Sequence, residues 1–530
     1  MPAADVVARL ARALDDGDAD QVGRLIECHW SYVIRTDAPL LLRATREVAG
    51  ELLDRHPVVA LVQELFAPVR SAIMQRDDPL LDRALAGYAG LDDHRARVGV
   101  GLATMIALTR RGRFTEAAAH GDRVAELGIE LLDPGYQDGA SLPALELHAG
   151  IAHLMAADLT GAERHLSAAY RNLSPFANHG LDAAGKLGFL YALRGESHLA
   201  TTWLERSQDL EPGAGDWWLR ATERQSIAGA SMLLAIDRLD WPAFHRHNLT
   251  EDMAVPSENW LYVVYARARA GLFLGNQRIL INELHDFREQ LPLIFTDHSL
   301  PRMLLDSAEL DLLLSLGDLE AAEEVADRLG DDPMERVAAA RFRLARGDAA
   351  AAEEIVADSR WPVRISRRVR LNLLLLQVTA DLALRLSSDD RIRLLQRAAV
   401  ETANEVDPWL FTLAVQDPAT AELLGRYAAD TGPLLSRLRE IDPPRPFRLS
   451  RPPDPLTPRE RVLLGRLAGA AALEEIAAEL HVSPATVRNQ RKSLYRKLGA
   501  TSRAHAVEIG LRAGLLPADG RPDHRTDTRR

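Results

Sequence analysis

From the N-terminus to about Ile441 the apolar residues recur three and four positions apart, and no stretch alternates apolar with polar as a half-buried strand would. The pattern therefore predicts helices throughout. They come in a loose unit: an apolar helix, a small turn carrying Gly or Asp, then an Ala-rich helix. Such turns are legible at Leu108-Thr109-Arg110-Arg111-Gly112-Arg113-Phe114, Leu193-Arg194-Gly195-Glu196, Leu274-Gly275-Asn276, Leu316-Gly317-Asp318-Leu319 and Leu344-Ala345-Arg346-Gly347-Asp348. Gly is expected to take a left-handed turn, and small Ala side chains let successive helices approach. The spacing is uneven, 42 residues from Gly275 to Gly317 and 30 from Gly317 to Gly347.

Helical hairpins of this kind cannot bury their apolar stripe alone and must stack on neighbours, which predicts a curved solenoid with a concave surface. Residues 1–441 accordingly resemble tetratricopeptide-type repeats, in an irregular form. An irregular helical bundle without a groove fits the same pattern. Within this half the aromatics cluster: Trp217, Trp218, Trp241, Phe244, Trp260, Tyr262 and Tyr265 fall inside about fifty residues. Trp217, Trp218, Trp241, Trp260, Tyr262 and Tyr265 are the candidates for lining a ligand pocket or peptide groove. The same rings could equally fill space between helices.

The pattern changes at residues 442–455. Pro443-Pro444-Arg445-Pro446 and Arg451-Pro452-Pro453-Asp454-Pro455 cannot continue a helix and predict an extended linker. From Leu456 to Leu516 four short helices are expected. Thr457-Pro458-Arg459-Glu460 is a capping box with Pro at the first helical position. Glu474 to Leu480 predicts a short helix. Ser483 as N-cap and Pro484 start a longer one, ended by Gly499. Thr501-Ser502-Arg503-Ala504 opens the last. In the third helix Val487, Leu494 and Leu498 form one stripe, while Ala485, Asn489, Lys492 and Arg496 lie opposite, with Arg488 at the edge. Pro484 to Leu498 holds five Lys or Arg and no acid. Such a face attracts phosphate, and Arg and Asn on it can reach base edges. The solvated face of an ordinary helical hairpin would look alike. Residues 517–530 are polar and predict a disordered tail.

The ordered residues Leu456-Thr457-Pro458-Arg459-Glu460-Arg461, Glu475-Ile476-Ala477, Val482-Ser483, Thr486-Val487-Arg488, Leu494-Tyr495-Arg496-Lys497-Leu498-Gly499 and Ser502-Arg503-Ala504 resemble the LuxR-type helix-turn-helix domain. That resemblance implies that the third helix enters the major groove of double-stranded DNA and that the fourth pairs two domains as a homodimer. It places base contacts at Arg488, Asn489 and Lys492, and phosphate contacts at Thr486, Gln490, Arg491 and Arg496, with Ser483 in the turn. The chain departs from the family at Ala470, Ala472, Leu473 and Glu474, where a more helical connection is expected.

Composition sharpens the division. Apolar residues make up 47 % of 530 and aromatics 5 %, with Ala and Leu dominant, which favours helix. Residues 456–516 hold ten Lys or Arg and five Asp or Glu, a local +5 that leaves −17 on the remainder of a chain whose net charge is −12. The acidic bulk repels DNA and leaves contact to the basic end. A single cysteine, Cys28, excludes an intrachain disulfide, and neither a signal peptide nor a membrane span is apparent, so a cytoplasmic protein is expected. No phosphate-binding loop is present, since Gly185-Lys186-Leu187 lacks the spacing and the hydroxyl. An array without the ATPase of MalT-like large regulators is therefore expected. Neither paired Cys nor His-Glu-x-x-His occurs, and His245 and His247 are poorly spaced for one ion. No metal, cofactor or enzymatic activity is predicted. The expectation is an all-α transcriptional regulator: a tetratricopeptide-like solenoid that senses a small-molecule or protein effector, and a small four-helix LuxR-type domain that binds an operator. A helical scaffold with a secondary nucleic-acid-binding end is the alternative.

Overall fold

The computed structural model describes residues 3–65, 78–88, 90–130, 141–172, 178–210, 217–248, 259–357, 366–384, 393, 440, 456–469, 472–498, 500, 502–512 and 516. Every regular element among the described residues is helical. The predicted linker at 442–455, the tail at 517–530 and the terminator Gly499 lie outside them.

The chain opens with α1 (Ala3–Asp15), α2 (Ala19–Thr36), α3 (Ala38–Glu47), α4 (Glu51–Arg55), α5 (Pro57–Leu65) and α6 (Pro79–Tyr88). Seven hairpins follow: α7 (His94–Arg110) with α8 (Phe114–Glu130), α9 (Ser141–Met155) with α10 (Leu159–Arg171), α11 (Asn178–Arg194) with α12 (Ser197–Gln208), and α13 (Trp217–Asp237) with α14 (Trp241–His247). Then come α15 (Trp260–Leu274) with α16 (Gln277–Gln290), α17 (Leu300–Leu316) with α18 (Leu319–Ala326), and α19 (Pro333–Ala345) with α20 (Ala349–Ala357), before the unpaired α21 (Arg367–Leu384).

One device closes all seven hairpins. Gly112, Ala157, Gly195, Leu239, Gly275, Gly317 and Gly347 each take a left-handed backbone, with φ between 53° and 83°. At four of the seven the next residue is an Asp that caps the following helix. Asp158, Asp240, Asp318 and Asp348 each accept from the backbone N–H three residues on, at 3.0 to 3.3 Å. Two of the turns, at Ala157 and Leu239, do this without Gly, at a cost of roughly 1–2 kcal/mol each.

Within the array the first helix of each hairpin packs on the first helix of the next, from α7 through to α21, and each second helix lies against both, α14 reaching α15 through Trp241 on Phe273. Small residues permit this: a Cβ on Gly229 of α13 would come within 2.6 Å of the Cβ of Tyr262 on α15. In a solenoid each repeat touches only its neighbours. Here α21 also packs on α11, and α17 touches α9. Arg368 reaches across 176 residues to the Ala192 carbonyl at 2.9 Å and grips both oxygens of Asp237, at 2.7 and 3.1 Å. First helices that are not successive thus touch one another. Between α15, α17, α19 and α21 remains a cavity of about 30 Å³, bordered by Tyr265, Arg269, Asp311, Arg341, Arg368 and Asn372. It has room for a water or two.

Packing between neighbouring helices decides the fate of the aromatic cluster. Trp260, Tyr262 and Tyr265 are buried on α15, and Phe189 packs edge-on to Tyr262 at 4.6 Å and to Tyr265 at 6.5 Å. Trp241 lies half-buried against Phe273 at 5.6 Å. Trp260 and Tyr262 join the apolar core and Trp241 packs against it, because hairpins built on Ala leave gaps that bulky rings fill, while Tyr265, also in the core, borders the small cavity. Trp217 and Trp218 start α13, and their side chains lie outside the described residues.

The acidic surplus is partly internal. Asp311 is buried between Arg269, at 2.9 Å, and Arg341. Arg111 is wholly buried and meets Glu64 at 2.8 Å and Asp78 at 2.5 Å. Among the described residues no helix is long and apolar enough to cross a membrane.

Candidate nucleic-acid interface

The C-terminal unit comprises α22 (Pro458–Ala468), α23 (Leu473–Glu479), α24 (Pro484–Leu498) and α25 (Arg503–Arg512). Their contact is a small core of Leu456, Leu463, Leu467, Ile476, Val487 and Leu494, joined by Leu498 and Ala506. Each junction is specified locally. At α22 the capping box forms: Glu460 N–H donates to Thr457 Oγ1 at 3.3 Å, and Thr457 N–H to Glu460 Oε2 at 2.8 Å. Ala472 stands before α23 with an extended backbone, φ −71° and ψ 158°, and its N–H donates to Glu475 Oε2 at 2.8 Å. The more helical connection expected at this position does not extend to Ala472, because Glu475 caps the helix there; Ala470 lies outside the described residues.

The turn between α23 and α24 is made by His481, left-handed at φ 51°. Its N–H donates to Ala478 O at 3.2 Å and that of Val482 to Ala477 O at 3.0 Å, the paired bonds of a Schellman stop. Ser483 then caps α24, its Oγ accepting from Thr486 N–H at 3.1 Å and lying 2.8 Å from Thr486 Oγ1. Ser483 and Thr486 therefore hold the start of the helix, where free N–H groups favour an anion.

Along α24, Val487, Leu494 and Leu498 are buried, while Arg488, Asn489, Lys492 and Arg496 are exposed. Gln490 and Arg491 are half-buried at the flank, with the Arg491 guanidinium 5.7 Å from the Tyr495 ring centre. Arg488 has one distant acidic neighbour, Glu474 at 3.8 Å. Lys492 and Arg496 have no acidic partner among the described residues. An exposed guanidinium, amide and ammonium one helical turn apart can bond base edges and phosphates together.

Two positioning contacts could not be read from spacing. Glu460, beyond its capping role, accepts from Ser493 Oγ at 3.0 Å and from Lys497 Nζ at 2.7 Å on α24. These bonds, led by Lys497, outweigh the cost of burial and hold its carboxyl down at about 2. Lys497, counted among the basic residues of the helix, is thereby tied to the scaffold. Arg503 closes the end of α22, donating to Leu467 O at 2.8 Å and Gly469 O at 2.9 Å. The sequence held only one hint, the Ser502-Arg503-Ala504 stretch before the last helix.

A capped scaffold helix, a left-handed turn and a protruding basic helix define a helix-turn-helix domain. Residues 454–509 match the family described as bacterial regulatory proteins, luxR family, so this unit is a LuxR-type helix-turn-helix domain. The same region is similar to the probable transcriptional regulatory protein NarL of Mycobacterium tuberculosis (strain ATCC 25618 / H37Rv), 46 % identical over 61 residues, covering 12 % of this chain and 28 % of that one. It is also similar to the transcriptional regulatory protein YdfI of Bacillus subtilis (strain 168), 38 % identical over 86 residues, 16 % of this chain and 40 % of that one. The transcriptional regulatory protein UhpA of Escherichia coli (strain K12) is 51 % identical over 49 residues, 9 % and 25 % of the respective chains. The chain thus spans well under half the length of the curated relatives it matches.

Proposed function

We propose that this protein is a sequence-specific DNA-binding transcriptional regulator of the cytoplasm, without enzymatic activity, whose helical array controls a LuxR-type reader. The observation that carries the reading is the outward face of α24: Arg488, Asn489, Lys492 and Arg496 stand in solvent on a helix whose opposite stripe is buried. Two such readers in a homodimer, one DNA turn apart, would match a two-fold symmetric site. The array receives the signal, a small molecule or a protein, and shifts the spacing of the two readers. Support for control comes from the joining of an acidic all-helical half to a basic reader in one chain.

Selecting binding sites from random DNA with the purified full chain tests this. A palindrome with half-sites about 10 base pairs apart is expected. No enrichment and no salt-sensitive shift, with a protein recovered stoichiometrically in a pull-down, would favour the scaffold reading. Identical affinity for the selected site under every inducing condition would end the sensing part alone.

A further inference from the structure

Far in sequence from the reader, three consecutive helices converge on one point. Asp122 stands on α8, His153 near the end of α9 and His165 on α10, with one donor atom of each within 4.8 Å of the others. Asp122 Oδ1 is 2.8 Å from His165 Nε2 and 3.3 Å from His153 Nε2. The two imidazoles are stacked, centroids 5.1 Å apart.

The far side of each ring is also held. His153 Nδ1 lies 2.8 Å from Asp158 Oδ2, and His165 Nδ1 lies 2.6 Å from Glu146 Oε2. A carboxylate at Nδ1 accepts the ring proton from that nitrogen and turns the Nε2 lone pair toward Asp122. With both imidazoles neutral, two Nε2 lone pairs and a carboxylate oxygen are then gathered within 4.8 Å, an arrangement that a cation relieves. We propose that His153 Nε2, His165 Nε2 and Asp122 Oδ1 form a binding site for a divalent transition metal of the zinc class, with a fourth position open to water.

The two spacings from Asp122 Oδ1, 2.8 and 3.3 Å, are close to those of the ion, and all three donors lie within 4.8 Å of one another, so binding draws the two rings together. Bonds of about 2.0–2.1 Å in tetrahedral geometry set donors roughly 3.3 Å apart. Both rings are buried, while the Asp122 side chain is 40 % exposed and supplies the way in. Gly161 shows how closely the outer shell is built: a Cβ there would fall 2.2 Å from His153 Nδ1 and 2.4 Å from Asp158 Oδ2. Only a residue without a side chain lets Asp158 cap α10 and hold His153 together. Three carboxylates, Asp122, Glu146 and Asp158, lie against the two imidazoles and supply the negative charge that a divalent ion needs. Arg164 Nη2 sits 2.5 Å from Asp122 Oδ1 and 3.0 Å from His165 Nε2, in the place of that ion. Its side chain is 63 % exposed and has solvent to swing into. The ligands come from three helices, so no local spacing announced them.

The test uses the full chain, stripped with chelator and titrated with Zn²⁺ alone by equilibrium dialysis, and with Co²⁺ for its visible absorption. One ion per chain is expected. His153→Asn and His165→Asn should abolish uptake, Asp158→Asn and Glu146→Gln should weaken it about 10–100-fold, and Arg164→Ala should tighten it. Circular dichroism follows folding. Should the buried-ring variants unfold, Asp122→Asn, on the open side, leaves the rings in place and must still lose the ion. Absence of saturable uptake by the folded wild type overturns the proposal, as does stoichiometric uptake retained by Asp122→Asn or by a folded His153→Asn/His165→Asn double variant. Metal content is the readout, so the outcome is independent of DNA binding.

Discussion

Arg341 and Arg488 are the same side chain put to opposite uses. In the helical array Arg341 is buried and shares Asp311 with Arg269. In the C-terminal domain Arg488 leaves 60 % of its side chain in water, with only Glu474 nearby at 3.8 Å. The array spends its charges on itself: Arg111 on Glu64 and Asp78, Arg368 on Asp237, Arg288 on Asp306 and Glu309. The reader helix keeps Lys492 and Arg496 without acidic partners among the described residues. A desolvated charge must be paired to be tolerated, whereas a solvated one is available to a ligand. Charge counts alone do not separate these roles; burial does.

The strongest way to break this contrast is inside the array. Asp311→Ala removes the buried carboxylate that Arg269 and Arg341 share and is expected to cost about 3–5 kcal/mol. The array transition in thermal or urea unfolding of the full chain reads it, and a loss under about 1 kcal/mol would place Arg269 and Arg341 with the solvated class.

Glu460 is the corresponding internal pair of the small domain. Its folded pKa of about 2 lies below the ordinary 4.5. A depressed carboxyl contributes stability that is complete above about 4.5 and is lost as pH falls from there toward 2. Glu460→Gln should lower stability at neutral pH by roughly 1.5–3 kcal/mol and flatten the acid dependence in that window. An acid profile identical to the wild type would detach Glu460 from the locking of α24.

On the solvated side, Arg488→Ala or Asn489→Ala is expected to cost about 1–3 kcal/mol on the selected site and relax preference at one base pair. Arg496→Ala should weaken all sequences alike and reduce the salt slope by about 0.9. Mobility-shift titrations at several salt concentrations distinguish the two behaviours; identical patterns for both would dissolve the division between base and phosphate contacts.

The smallest effect concerns the turns that the two regions share. Ala157 in the array and His481 in the reader both occupy left-handed backbone without being Gly. Ala157→Gly and His481→Gly should each add about 1 kcal/mol, read as a rise in melting temperature of the region concerned. A fall at Ala157 would mean that its side chain contributes more than its backbone costs.

Local pattern carried much of this. The periodicity and the Gly turns announced helices at Gly112, Gly195, Gly275, Gly317 and Gly347, and all five adopt the left-handed backbone. Ala157 and Leu239 close equivalent hairpins but escaped notice, because without Gly the turn has no compositional mark. Ser483, Pro484 and the Val487, Leu494, Leu498 stripe located the reader helix and its exposed face, since capping and 3.6-residue periodicity are settled within a few residues.

What tertiary structure decided were the choices between distant partners. The aromatic composition around Trp241 and Tyr262 allowed either a pocket or a core, and only the packing of α15 on α13, α16 and α17, with Phe189 of α11 against Tyr262, put Tyr262 in the core. Arg368 meets Asp237 across 131 residues, Lys497 meets Glu460 across 37, and Asp122 meets His165 across 43. Which charge becomes internal and which stays in water depends on where helices far apart in the chain come to rest, a matter of burial that no short-range spacing encodes.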